Sequence, residues 1–113
     1  MNAKEEFLRH TEGKALKCAI VYSGMTYDEQ LEEYTPIGEI ILKVGYHGPN
    51  LAFFLNKLDY KYDDGYGEQN LFGTIWYTDG TWSDRDEYDG NEWWQHHSCP
   101  EIPEILTLYP KEL

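Results

Sequence analysis

The segment from Trp76 to Trp94, WYTDGTWSDRDEYDGNEWW, limits the possible folds of this chain more than any other segment. Asp79-Gly80 and Asp89-Gly90 are dipeptides typical of two-residue type I′ turns, in which both residues take a positive φ. Aromatic residues lie before, between and after the two turns, and such residues favour strands. The segment therefore predicts three consecutive antiparallel strands.

Two-residue turns at both positions would fix the pairing of these strands. The predicted pairs are Tyr77–Trp82, Ile75–Asp84 and Gly73–Asp86 at the first turn, and Glu87–Glu92 and Arg85–Trp94 at the second. This register puts carboxylates on the face of Ile75 and sets like charges opposite each other, which destabilises a sheet. We therefore expect the middle strand to be lifted by a bulge at residues 83–87, to be a loop at 84–90, or to expose its acids to a partner.

The rest of the chain supplies two helices and two more strands, and it extends the first strand of the Trp76–Trp94 segment toward the N-terminus. Capping-box spacing at Asn2 and Glu5 predicts a helix over residues 3–11, and apolar residues at helical spacing after Pro49 predict a second helix that ends near Asp59. Apolar, β-branched runs predict strands at 15–23, 39–46 and 70–78. Between the first two strands we expect a long loop or one helical turn at 28–34. The three prolines of residues 99–110 predict an extended tail that packs over the domain.

This order, α-β-β-α-β-β-β, predicts a single α+β domain over residues 1–113. We expect an antiparallel sheet of four or five strands with two or three short helices on one face. Two predictions follow for the core. The second helix should face the sheet, and either Trp76 or Trp94 should be buried. The expected helix–sheet contacts join Leu51, Phe54, Leu55 and Leu58 to Ile20, Ile40, Leu42 and Ile75.

The charge of the chain is strongly negative and unevenly distributed. The formal net charge is -12, and ten acidic residues stand against two basic ones between Asp59 and Glu92. Such a field repels nucleic acid and anionic membranes and attracts basic protein surfaces. Two cysteines do not make a disulfide framework, and the N-terminus has no hydrophobic signal region, so we expect a cytoplasmic protein.

The density of acids beside aromatic residues predicts a partner-binding surface. Its carboxylates should form one exposed negative surface, and the neighbouring aromatic rings should supply rigid contact area. The candidate partner-binding residues are Asp63, Asp64, Tyr66, Asp84, Asp86, Glu87, Asp89, Glu92 and Trp93.

Catalytic and metal sites have less support in the sequence than this partner-binding surface. His96, His97 and Cys99 lie together, but the second ligand pair of a zinc site is missing, and adjacent histidines in a strand point to opposite faces. The run that begins at Asp59 lacks the glycine and glutamate positions of a calcium loop. We expect neither a metal nor a cofactor, and no catalytic residue.

The block from Gly65 to Pro103, GYGEQNLFGTIWYTDGTWSDRDEYDGNEWWQHHSCPEIP, resembles a block of small uncharacterised proteins of tailed bacteriophages. The resemblance covers about a third of the chain. It implies a setting inside an infected bacterial cell and transfers no residue role.

Together these features favour a small acidic inhibitor or interaction protein, of the anti-CRISPR-like or DNA-mimic class. Its expected partner is a basic, nucleic-acid-binding surface of a host defence protein such as a nuclease. The first alternative is a sponge for a signalling nucleotide, with a base stacked among Tyr62, Tyr66 and Trp93. The second alternative is a small hydrolase around His96 and His97. The oligomeric state is left open by the sequence.

Overall fold

A computed structural model describes residues 1–62 and 69–107 and confirms the predicted order of elements. Two α-helices and five strands alternate as α-β-β-α-β-β-β, followed by a 3₁₀ turn at Glu104–Thr107. The elements are α1 (Ala3–Thr11), β1 (Leu16–Asp28), β2 (Glu33–Leu42), α2 (Gly48–Lys57), β3 (Phe72–Tyr77), β4 (Trp82–Tyr88) and β5 (Asn91–His97).

The five strands form one antiparallel sheet in the order β2-β1-β3-β4-β5. Both helices cover the same face of this sheet. Strand residues that point toward the helices, such as Val21, Ile75 and Trp94, share the buried core with Phe7 of α1 and Phe54 of α2. The chain therefore has the predicted α+β architecture, with both described helices on one face of the sheet.

The local signals for the two helices act as expected. The side chain of Asn2 caps α1 by accepting a hydrogen bond from the backbone N–H of Glu5 at 2.9 Å. Phe54 of α2 and Leu58, the residue that follows this helix at the C-cap, are each 1% exposed, and Leu51 and Leu55 pack partly buried against the core. The prediction that α2 faces the sheet is confirmed.

One of the four contacts predicted for α2 is wrong. Ile20 pairs with Ile41 and Thr74, so it points to the face of the sheet opposite the helices. Val21 points toward the helices in its place and is fully buried. Because side chains alternate along a strand, an error of one residue changes the face.

The segment between the first two strands differs most from its prediction. The loop or helical turn expected at 28–34 is instead the end of a long hairpin, in which β1 and β2 remain paired as far as Asp28 and Glu33. Asp28 Oδ1 accepts from the backbone N–H groups of Gln30 at 2.9 Å and Leu31 at 3.2 Å and so closes the turn. The polar sequence is compatible with strands here because this ribbon is exposed on both faces.

The first Asp-Gly turn is one residue longer than predicted. Tyr77 N–H donates to Thr81 O at 3.0 Å, which leaves a three-residue loop, and Gly80 takes a φ of 87°. Asp79 Oδ1 accepts from Thr81 N–H at 2.9 Å and holds this loop. Such loops combine a type I turn with a left-handed residue.

The longer loop shifts the register of β3 and β4. The pairs are Trp76–Trp82, Ile75–Ser83 and Thr74–Asp84, so the predicted pairs at this turn are wrong. At the second turn the predicted pairs Glu87–Glu92 and Arg85–Trp94 are confirmed, and Asp89 and Gly90 both have positive φ. The middle strand is accordingly a regular strand, neither bulged nor looped out.

The described part of the tail, residues 99–107, does not pack over the domain as predicted. Residues 98–107 are exposed, including the apolar side chains of Ile102, Ile105 and Leu106. Within the described ranges, no helix is long and apolar enough to cross a membrane.

Candidate interaction surface

The corrected register places Arg85 on the helix-covered face, beneath α1. Its side chain is 1% exposed and forms ion pairs with Glu6 and, at 2.7 Å, with Glu92. The guanidinium also lies 5.1 Å from the ring of Trp94. Burial opposes the charge, but the hydrogen bond and charge of Glu6 and the hydrogen bond of Glu92 raise the pKa of Arg85, so it stays cationic.

Glu92 belongs to this buried network, and its predicted exposure is wrong. The residue is 5% exposed, and its carboxylate accepts from the backbone N–H groups of Asn70 at 2.7 Å and Leu71 at 2.8 Å. A carboxylate is stable in this position because Arg85 and two amides compensate its charge. Glu92 is therefore a structural residue. Arg85, which lies between the strands and α1, compensates the charge of Glu92 and so reduces its repulsion of Glu87 on the neighbouring strand.

Tyr62 completes the network from the segment that follows α2. Its hydroxyl donates to Glu6 and lies 3.2 Å from Arg85 Nη2. Burial, followed by the hydrogen bond to Glu6, raises the pKa of Tyr62 well above its ordinary value. Since Tyr62 is 8% exposed, it does not offer its ring to a stacked ligand.

The opposite side of β3, β4 and β5 carries a different set of side chains. We call this surface the open face; its residues are Trp76, Trp82, Asp84, Asp86, Trp93 and His97. Neither α1 nor α2 packs against it, because both bury their apolar side chains on the other side of the sheet. Trp76 is 42% exposed and Trp93 is 37% exposed, so large aromatic surfaces reach solvent.

Pairing across the strands places the acids of the open face beside its tryptophans. Asp86 is directly opposite Trp93, and Asp84 lies one pair further along the same face. His97 Nε2 lies 2.7 Å from Asp84 Oδ1, and the ring of Trp82 stacks on His97 with centroids 5.6 Å apart. These contacts hold one carboxylate and one indole in defined positions.

Among the described residues, the strand positions that flank the tryptophans of this face carry neither lysine nor arginine. The strand residues that flank its tryptophans are Cys18 and Ile20 on β1, Thr74 on β3 and Gln95 on β5. None of these described neighbours is Lys or Arg, and the side chain that contacts Asp84 is that of His97. An exposed surface of this composition suits cationic groups, which pair with carboxylates and stack over indoles.

The predicted site residues are only partly brought together. Asp84, Asp86 and Trp93 share the open face. Glu87 is exposed but belongs to the opposite face, and Asp89 is exposed in the turn between β4 and β5. Asp63, Asp64 and Tyr66 lie outside the described residues, so the single negative surface remains a prediction for them.

Two residues of the open face, Trp76 and Trp82, were missed by the sequence analysis. The sequence predicted that either Trp76 or Trp94 is buried. The buried residue is Trp94, which is 6% exposed and packs edge-to-face on Phe7. The signal that could have identified Trp76 as exposed is alternation along its strand, because Ile75 was predicted to face the second helix and its neighbour must point to the other face.

The histidines considered as metal ligands point apart. His96 Nε2 lies 2.9 Å from Thr81 Oγ1 on one face, whereas His97 contacts Asp84 on the other. Within residues 1–62 and 69–107, no group of three or more His, Cys, Asp or Glu side chains is arranged to hold a metal ion.

Comparison of the chain with protein-family models, with curated proteins and with solved structures finds no match.

Proposed function

We propose that the chain is a non-enzymatic binding protein whose open face occupies a basic surface of a protein partner. The observation that carries the proposal is the alternation of exposed tryptophans with carboxylates on a sheet face that neither α1 nor α2 covers. Desolvated aromatic groups supply most of the affinity of protein interfaces, and complementary charge supplies specificity and fast association.

The chemistry of the face favours arginine-rich partners. An arginine can pair with Asp84 or Asp86 through two parallel hydrogen bonds while its planar guanidinium stacks on Trp76 or Trp93. The carboxylates and the indoles that this contact requires lie one or two residues apart on neighbouring strands. Nucleic acid would be repelled by the same carboxylates and by the net charge of -12.

Surfaces that bind nucleic acid are rich in arginine and lysine, and they are the partner class that we propose. The resemblance of residues 65–103 to tailed-phage proteins would place such a partner among the host's defence proteins. In that setting the chain would act as an inhibitor, because its carboxylates would take the positions of phosphates.

A titration with an oligoarginine peptide tests this proposal. The indole N–H signals of Trp76, Trp82 and Trp93 should shift in NMR spectra, and the affinity should fall as salt is added, because exposed charges are screened. The charge-reversed variant Asp84→Lys with Asp86→Lys should bind at least about tenfold more weakly.

A second pair of substitutions provides the matched control. Glu12→Lys with Glu101→Lys changes the net charge by the same amount at exposed positions outside the strands and should leave the affinity nearly unchanged. Equal losses in both variants would mean that only net charge matters, and the open face would not be the binding surface. A purine nucleotide that shifts the same indole signals, with no effect of the reversal, would favour the nucleotide sponge.

A further inference from the structure

The β1–β2 hairpin extends beyond the rest of the sheet as an arm. Strand β3 pairs with β1 only as far as Tyr22, whereas β1 and β2 stay paired to Asp28 and Glu33. We call residues 24–37 the arm. A two-stranded ribbon without a third strand or a helix is marginally stable in water, so an ordered arm of this length requires its own stabilising contacts.

The arm exposes a set of large apolar side chains. Tyr27 is 51% exposed and Tyr34 is 71% exposed, and their rings meet edge-to-face with centroids 5.3 Å apart. Met25 is 39% exposed, and Leu31 at the tip is 61% exposed. Between the base of the arm and β3, Met25 and Tyr34 line a cavity of about 370 Å³ with Gln69 and Phe72.

The charge of the arm has a single sign. From Cys18 to Leu42 the chain contains five acidic residues and no lysine, arginine or histidine. Four of the acids, Asp28, Glu29, Glu32 and Glu33, lie at or beside the turn. An apolar surface rimmed by carboxylates fits a partner with an apolar floor and a basic rim.

A second copy of this chain is a poor occupant for the arm. The acids at the two tips would repel each other, and the edge strand β2 is unsuited to pairing with another strand. Pro36 has no N–H to donate, and Gly38 takes a φ of 66°, which interrupts the extended backbone. An anionic lipid surface would be repelled by the same carboxylates.

We propose that the arm is a second interaction surface, which inserts into a cleft of a basic protein partner. Tyr27, Tyr34 and Met25 would contact the apolar floor, and the carboxylates of the tip would pair with arginine or lysine at the rim. The tip is held in shape by the Asp28 side chain, so little ordering of the arm is needed on binding. The arm shares no residue with the open face, and the inference does not depend on the function proposed for that face.

A titration with a peptide of alternating arginine and leucine, followed by NMR, tests this inference. Backbone amide signals of residues 24–37 should shift, and the shifts should be smaller with an oligoarginine peptide, which has no apolar side chains. The variant Tyr27→Ser with Tyr34→Ser should bind the arginine–leucine peptide at least about tenfold more weakly, because it removes both aromatic anchors.

The variant Glu29→Lys with Glu32→Lys keeps the tyrosine pair and should weaken binding by a similar factor at low salt. Glu12→Lys with Glu101→Lys is its matched control and should bind as the unaltered chain does. Unchanged amide signals in the arm at saturating peptide, or an affinity of both arm variants equal to that of the unaltered chain, would overturn the inference. Concentration-dependent shifts of the arm signals without peptide would overturn it in favour of a second copy. The indole signals of the open face report separately on the other surface.

Discussion

Replacement of Arg85 by methionine should destabilise the domain severely. The substitution keeps much of the apolar stem but removes the charge that compensates Glu6 and Glu92, whose side chains are 12% and 0% exposed. Breaking a buried ion pair by removing one partner costs about 3 to 5 kcal/mol, since an uncompensated charge stays buried. The cost should lie at the upper end of this range because two carboxylates lose the same partner.

This loss is large for a domain of this size. Single domains unfold with a free energy of about 5 to 15 kcal/mol, so the variant would lose a substantial part of its stability. With roughly 4 °C of melting temperature for each kcal/mol, Tm should fall by about 12 to 20 °C. Urea unfolding followed by tryptophan fluorescence measures the free energy directly, because Trp94 lies in the core beside Arg85.

A double-mutant cycle separates the ion pair from simple loss of packing. Glu92→Gln removes the charge on the other partner, and the combined variant should be less destabilised than the sum of the single variants by about 0.5 to 3 kcal/mol. Asp86→Asn removes an exposed charge from the next position of β4 and should change stability by less than about 0.5 kcal/mol. An Arg85→Met variant as stable as Asp86→Asn would refute the register on which this account depends.

Three further predictions test the core, the sheet and the pH dependence of stability. Leu58→Ala should cost about 2 to 5 kcal/mol, measured by urea unfolding, because Leu58 is 1% exposed in the core. Gly73→Ala should cost about 1 to 3 kcal/mol or more, visible as a lower Tm, since Gly73 has a φ of 151° and an added Cβ would lie 2.3 Å from Ile20 O. Burial, followed by the charge of Lys14, lowers the pKa of His10 from 6.5. The unfolded chain therefore binds more protons below that value, so stability should fall as the pH drops through about 6.5, and His10→Gln should flatten this part of the unfolding-versus-pH curve.

Local signals were sufficient to predict the helices and the order of the elements. The cap at Asn2 and the spacing of Phe54 and Leu58 depend on residues three or four positions apart. Such short-range patterns do not depend on how the strands pair. The α+β class follows from the same patterns. The second Asp-Gly turn was also predictable, because a type I′ geometry needs only two residues that tolerate positive φ.

The faces of β3 and β4 were not predictable in the same way. Asp-Gly is compatible with loops of two and of three residues, and the choice is made here by the hydrogen bond from Thr81 N–H to Asp79. A single additional loop residue moves Asp84 and Asp86 from the core to solvent and turns Arg85 inward. The compensation of Glu92 by Arg85 is therefore a consequence of the register, which no local pattern in the sequence specifies.

The arm was not predicted because neither of its faces is buried against the domain. Alternation of apolar and polar residues identifies strands that bury one side, and residues 24–37 bury neither. Asp28, Glu29 and Glu32 around the turn are equally typical of a loop or of one helical turn, which are the two structures expected from the sequence. The pairing of Tyr27 with Tyr34 across the ribbon can be identified only once the register of β1 and β2 is known.

The rate at which oligoarginine associates with the chain, measured by stopped-flow fluorescence over a range of ionic strength, tests the proposed open-face interaction most directly. For the unaltered chain and for Glu12→Lys with Glu101→Lys, the rate should be high at low salt and should fall steeply as salt screens the carboxylates. For Asp84→Lys with Asp86→Lys, association should be slow at low salt and nearly independent of ionic strength. An equal rate and an equal salt dependence for all three proteins would contradict the assignment of the open face as the binding surface.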